Sequence, residues 1–194
     1  MYPEKWKKYL GHAKQPPSLT SEDELRKIEA EYFITAATRG WDKSKKLLVL
    51  GCGDGYEVKL LRDLDWVVKG ITFYKKEYAG VVKLGLQAHI IQCDIHELPF
   101  KDGEFDYVIS KETLEHTISP FVALCEINRV MQKGARFVHY IPEGEEKQKE
   151  FYHYMCPPSW VWIDLMHKAG FEVSVSNQLD QKKYEGYKDR PIDL

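Results

Sequence analysis

The stretch KLLVLGCGDGY, residues 46–56, decides the fold. Its first five residues are an apolar run of strand character, Gly51-Cys52-Gly53-Asp54-Gly55 follows, and a helical pattern starts at Tyr56. Three glycines within five residues let the backbone turn tightly and bring its N–H groups against a ligand with no Cβ in the way. A nucleotide-like cofactor is one reading, and a compact strand-to-helix connection is the other. Spacing narrows the choice of cofactor. The dinucleotide fingerprint G-x-G-x-x-G needs its third glycine where this chain has Tyr56, which makes an NAD-dependent oxidoreductase the weaker alternative. The P-loop pattern G-x-x-x-x-G-K-[ST] is absent, which argues against phosphoryl transfer.

Outward from this loop, short β-type runs alternate with helical stretches. The runs are KLLVL (46–50), WVVKGI (66–71), HIIQ (89–92), FDYVIS (105–110), RFVHYI (136–141) and FEVSVS (171–176). Helical patterns cover 56–64, 75–84, a stretch opened by Ser119-Pro120 and closed before Gly134, and 159–169 closed by Gly170. Upstream, Ser21 and Glu24 have capping-box spacing, and Leu25, Ile28, Tyr32, Phe33 and Ala36 recur at helical intervals until Gly40. Parallel neighbours need crossover helices, so this alternation predicts an α/β, Rossmann-like three-layer sandwich. Its mostly parallel sheet would have six or seven strands with helices on both faces. The sequence after Asn177 is polar and poor in β-branched residues, so the sheet is expected to be short at that edge. A ligand would sit at the carboxyl ends of the strands, where strand order reverses.

Composition sets outer limits. The chain has 194 residues, 43% hydrophobic and 30% charged, which fits one globular domain. A net charge of -2 provides no general basic field, so nucleic acid is not an expected partner. Cys52, Cys93, Cys125 and Cys156 are scattered without metal spacing or disulfide density, and no apolar run is long enough to span a bilayer. A reduced, cytoplasmic protein with no metal requirement is the expectation, and the oligomeric state is left open.

Several runs in order resemble the motifs of small class I S-adenosylmethionine-dependent methyltransferases of the type 11-like group. After LLVLGCGDG come Ile91-Gln92-Cys93-Asp94-Ile95, Glu97-Leu98-Pro99-Phe100, Gly103-Glu104-Phe105-Asp106-Tyr107-Val108-Ile109, Leu114-Glu115-His116, the stretch Glu126 to Gly134, and Ala169-Gly170-Phe171-Glu172-Val173. The resemblance implies a single methyltransferase domain over 1–194 with S-adenosylmethionine as cofactor. It implies that Gly51, Cys52, Gly53 and Gly55 contact the methionine part and ribose. It further implies that Asp94 accepts from the adenine amino group, that Ile95 packs on the ring, and that Ser110 offers backbone to the amino-acid end. The family usually ends its second strand on an acidic residue that binds both ribose hydroxyls. Here Thr72, followed by Phe73, stands at that point, and a hydroxyl lacks the two charge-assisted acceptors of a carboxylate. Cyclopropane-forming lipid enzymes look similar there, and Glu77 is the candidate helper.

Methyl transfer from a sulfonium is an in-line displacement, so alignment carries much of the catalysis, and a base is needed only when the acceptor must lose a proton early. Glu112, Glu115 and His116 follow the fourth strand, and an imidazole can exchange a proton near neutral pH. A structural histidine ordering the loop is the alternative for His116. His153, with Tyr152, Tyr154, Trp160 and Trp162, belongs to an insertion where the family places its substrate loop, and core packing is the competing role for either Trp. His139 lies within the fifth strand and could line the cleft, with a plain strand residue as the alternative. The segment 1–45, with Trp6, Tyr9 and His12 in its arm, is a candidate lid, with a packing arm as the alternative. The expected acceptor is a small molecule or a glycan- or lipid-linked group. A cofactor-binding but non-catalytic domain is the competing class.

Overall fold

The computed structural model of the protein describes residues 22–142, 157–178 and 181–188. Along the chain lie helix α1 (Glu22–Ala37), strand β1 (Lys46–Leu50), α2 (Tyr56–Asp63), β2 (Val67–Thr72), α3 (Lys75–Lys83), β3 (Ile90–Gln92) and β4 (Phe105–Lys111). A 3-10 turn at Leu114–His116 precedes α4 (Pro120–Val130), β5 (Met131–Pro142), α5 (Ser159–Lys168), β6 (Phe171–Gln178) and β7 (Gln181–Lys188). One sheet contains all the strands in the order β3-β2-β1-β4-β5-β7-β6. Parallel ladders join β3, β2, β1, β4 and β5, while β7 runs antiparallel to both of its neighbours. The three-layer α/β architecture expected from the sequence is present.

A parallel sheet covered on both sides needs strands that are apolar on both faces, and β1 has this character. Leu47 and Val49 pack with Phe33 and Ile34 of α1, Val58 and Leu61 of α2 and Val81 of α3. Leu48 and Leu50 point the other way, into Leu124 and Ile127 of α4 and Trp162 and Met166 of α5. Strand β4 divides in the same way at Val108 and Ile109, and β5 at Phe137 and Val138. Each such side chain contributes about 1.5–3 kcal/mol when fully buried.

Three expectations are corrected. The buried stripe of α1 is Ala30, Phe33, Ile34 and Ala37, whereas Ile28, Tyr32 and Ala36 are only half-buried. Helix α4 stops at Val130 instead of continuing toward Gly134, because Met131 is already extended and pairs with Phe105 of β4. Finally, the polar C-terminal segment forms a full strand. β7 does not lie at an edge: it pairs with β5 from Arg136 to Pro142 and with β6 from Phe171 to Gln178. Hydrogen bonding on both sides overrides its weak strand propensity.

Candidate functional site

After β3 the chain crosses to the far side of β1 to form β4, so the loops following β1 and β4 diverge in the middle of the sheet's carboxyl edge. A cavity of about 630 Å³ opens at that point. Gly51 after β1, the segment Ile71 to Tyr74 with Lys76 and Glu77, the run Cys93 to His96 after β3, and Glu112, Thr113, His116, Thr117 and Ile118 after β4 line it.

Each wall has a local cause. Gly51 has φ +62°, and a Cβ there would lie 2.3 Å from Thr113 Oγ1, so the bare glycine lets the loop after β4 close over the end of β1. Thr113 Oγ1 donates to Lys111 O at 2.9 Å, which fixes that closure. The amide of Cys52 donates to Ile71 O at 2.9 Å and ties the glycine loop to the end of β2. Helix α3 comes equally close: a Cβ on Gly80 would lie 2.5 Å from Asp54 Cβ and 3.2 Å from Asp54 Cα. The tight helix approach that a third loop glycine provides in dinucleotide folds is made here by a glycine on the neighbouring helix.

Acidic groups stand on two sides of the cavity. Buried Thr72 donates its hydroxyl to Glu77 Oε2 at 2.6 Å, so a carboxylate from the first turn of α3 is held at the end of β2. Beyond β3, Asp94 Oδ1 accepts from the His96 amide at 2.9 Å and is 2.6 Å from His96 Nδ1. These bonds from His96 hold the Asp94 carboxyl below its ordinary value, the backbone bond being the larger cause. Burial, reinforced by the Asp94 charge, raises the Cys93 thiol to about 11, so it lines the cavity as a neutral group.

The loop beyond Asp94 is clamped from α4. Arg129 donates to the carbonyls of Leu98 and Phe100, each at 2.9 Å, and holds Glu126 through two bonds of 2.8 Å, while Glu126 Oε2 accepts from the Leu98 amide at 2.9 Å. The bonds from Arg129 lower the Glu126 carboxyl, and those from Glu126 raise the Arg129 guanidinium. Across the cavity, Glu112 adopts φ +46°, a left-handed conformation costly for a residue with a Cβ, and its amide donates to Tyr140 O at 2.9 Å. The chain then tightens into the 3-10 turn, where the His116 amide donates to Thr113 O at 3.1 Å.

Of the residues expected from the sequence, Gly51, Thr72, Phe73, Asp94, Ile95, Glu112 and His116 meet at this cavity, together with Glu77. Cys52, Gly53, Gly55 and Ser110 are not among its lining residues. Cys52 is buried in the core between β1 and α2, and a Cβ on Gly55 would strike Ile90 Cδ1 at 2.7 Å, so that glycine serves packing. Ser110 and Glu115 are fully buried. His139 is fully buried too, between Phe137 and Trp162, and burial pushes its imidazole down to about 3, so it is a neutral core group. Trp162 belongs to the same core, and Trp160 is 69% exposed on α5. Trp6, Tyr9, His12, Tyr152, His153 and Tyr154 lie outside the described residues. Lys76, His96 and Thr113 line the cavity without having been expected there. His96, two residues after Asp94, offered a cue: a side chain at that spacing can close an Asx-type turn.

A family model described as a methyltransferase domain matches residues 48–139. In sequence the chain is similar to a fatty-acid O-methyltransferase of Mycolicibacterium smegmatis, 29% identical over 144 residues, covering 66% of this chain and 50% of that protein. It is also similar to an O-methyltransferase of Penicillium expansum, 29% identical over 150 residues, covering 68% of this chain and 53% of that protein. The chain thus spans about half the length of these relatives. Solved structures of like fold include a Thermotoga maritima S-adenosylmethionine-dependent methyltransferase, with TM-score 0.67, 21% identity and coverage of 86% of this chain and 95% of that one. The [4+2]-cyclase SpnF is another, with TM-score 0.69, 16% identity and coverage of 90% and 85%. A cyclase on this fold is a reminder that architecture alone leaves the reaction open. The family match nevertheless runs from β1 into β5 and takes in every segment that lines the cavity, so over the residues that build its site the chain is similar to the class I S-adenosylmethionine-dependent methyltransferases.

Proposed function

We propose that this domain is a catalytic methyltransferase that transfers a methyl group to an oxygen of a small-molecule or lipid-linked acceptor. The observation that supports this reading is the cavity, which brings together two acidic groups, a glycine turn and the apolar side chain of Ile95, the kinds of group that a nucleoside with an amino-acid tail would require. The residues fit the cofactor on chemical grounds. Glu77, steadied by the Thr72 hydroxyl, would accept from the ribose hydroxyls and so replace the acidic residue missing from the end of β2. Asp94 uses Oδ1 toward His96, and Oδ2 would accept from the adenine amino group. Ile95 would cover the ring, and the turn at Gly51 would face the methionine part.

S-adenosylmethionine supplies an electrophilic methyl group carried on a sulfonium. The chain's share of the chemistry is alignment and exclusion of water. Glu112 and His116 stand on the wall after β4, and the His116 imidazole is the group that would take the proton of a hydroxyl acceptor. A carboxylate acceptor would need no such base. Phe73, Tyr74 and Ile118 make an exposed apolar lip on the cavity, which favours an acceptor with a hydrophobic body, as does the similarity to a fatty-acid O-methyltransferase. Burying Phe33 of α1 edge-on against Tyr140 supports counting α1 as part of the same domain.

Calorimetric titration with S-adenosylmethionine and NAD, followed by turnover against fatty acids and hydroxylated aromatics, tests the proposal. Binding of the former and methylation of an oxygen are expected. Absence of S-adenosylmethionine binding, or preference for NAD, would overturn it.

A further inference from the structure

His96 belongs to none of the roles assigned so far, yet it makes the contacts that decide which way Asp94 faces. Its side chain is 18% exposed and lines the cavity. Nδ1 lies 2.6 Å from Asp94 Oδ1, and on the opposite side of the ring the Ser119 amide donates to Nε2 at 3.3 Å. An N–H can donate only to a ring nitrogen without a hydrogen, so Nε2 is bare, the proton sits on Nδ1, and Nδ1–H donates to Asp94. Ser119 is the N-cap residue of α4, the helix whose Arg129 clamps the loop just after His96. The imidazole is therefore a strut between a rigid helix and one oxygen of a cavity carboxylate.

Taking the cavity to hold S-adenosylmethionine, we propose that His96 is a positioning residue. By engaging Asp94 Oδ1 it leaves Oδ2 aimed at the purine amino group, and so sets the preference for adenine over purines that lack this donor. Without the imidazole, only the backbone amide of residue 96 would still hold Oδ1, and the half-exposed carboxylate could pivot about that single bond and meet the purine with a less fixed direction. A general loosening of the loop would weaken all nucleosides alike. The strut acts only on ligands that give Asp94 a hydrogen to accept.

The experiment pairs two ligands with three proteins. S-adenosylhomocysteine and S-inosylhomocysteine, in which a carbonyl replaces the amino group, are titrated calorimetrically into the wild-type full chain, His96→Ala and His96→Asn. Asn carries an amide nitrogen where Nδ1 stands but reaches no further, so it restores the bond to Asp94 and omits that to Ser119. The wild type should prefer the adenosyl ligand. His96→Ala should lose about tenfold of that preference, the scale of one charge-assisted hydrogen bond, and His96→Asn should retain most of it. Equal weakening of both ligands in His96→Ala, an unchanged preference, or an Asn variant that behaves like Ala would overturn the proposal while leaving the cofactor reading intact. A wild type that binds neither ligand, or both equally, would overturn the cofactor or purine reading and this proposal with it.

Discussion

Replacing Arg129 with Met removes the guanidinium while keeping most of the side chain's apolar length, and the structure sets the size of the loss. Five bonds disappear: two to the carbonyls of Leu98 and Phe100, two to Glu126 and one to Asp102. The Asp102 carboxylate is 82% exposed, so its share is small. Glu126 is only 20% exposed and would keep just the Leu98 amide, while the two carbonyls would have to find water. With net values near 1 kcal/mol for each of the four remaining bonds after solvent replacement, the total is about 4 kcal/mol, or a fall in Tm of about 8–16 °C for a domain of this size. Calorimetry across pH tests the cause as well as the size. Because Arg129 lowers the Glu126 carboxyl, the associated stability is fully present above the unfolded value near about 4.3 and is lost as pH falls through the folded value. The gap between wild type and variant should be widest near about pH 7 and shrink below about pH 4. A loss below about 1 kcal/mol, or a gap equally wide at both ends of that range, would refute the clamp.

Two further substitutions probe the cavity walls. Gly80→Ala should be destabilising by about 1–2 kcal/mol, despite a gain in helix propensity of about 1 kcal/mol, because the new methyl would stand 2.5 Å from Asp54 Cβ and the glycine loop would have to move; a stabilised variant in thermal unfolding would contradict the close approach. Glu77→Gln keeps an acceptor for Thr72 but gives up the charge, so the Kd for S-adenosylmethionine should rise about tenfold with kcat little changed, and an unchanged Kd would remove Glu77 from the ribose.

The parts of this fold legible in the sequence are those with a strong local period. β1 appears within its expected bounds because Leu47 to Leu50 is a continuous apolar run, and α2, α3 and α5 each end within one residue of expectation. The errors arise where partners distant in sequence decide. Met131 leaves the helical state because Phe105 pairs with it, and β7 forms from polar residues because it has neighbours on both sides. The site divides along the same line. Gly51, Thr72 and Asp94 stand at or just after strand ends and could be found by counting along motifs. Gly80, Thr113 and Ser119 act by touching Asp54, Gly51 and His96 across 26, 62 and 23 positions of chain, and no local pattern encodes such meetings.

The place of β7 bears on how the molecule is assembled. Strand β6 is synthesised before β7, yet its described ladder is to β7 alone, so β6 has nothing to zip onto until the later segment has been laid along β5. Up to that moment β5 keeps an open edge from Arg136 to Pro142, the kind of template that recruits other chains. Ribosomal pausing or truncation ahead of residue 181 would therefore yield a species with its nucleotide-side strands complete and its other half unzipped, prone to aggregate rather than merely inactive. Completion of the sheet waits on the segment whose sequence least resembles a strand.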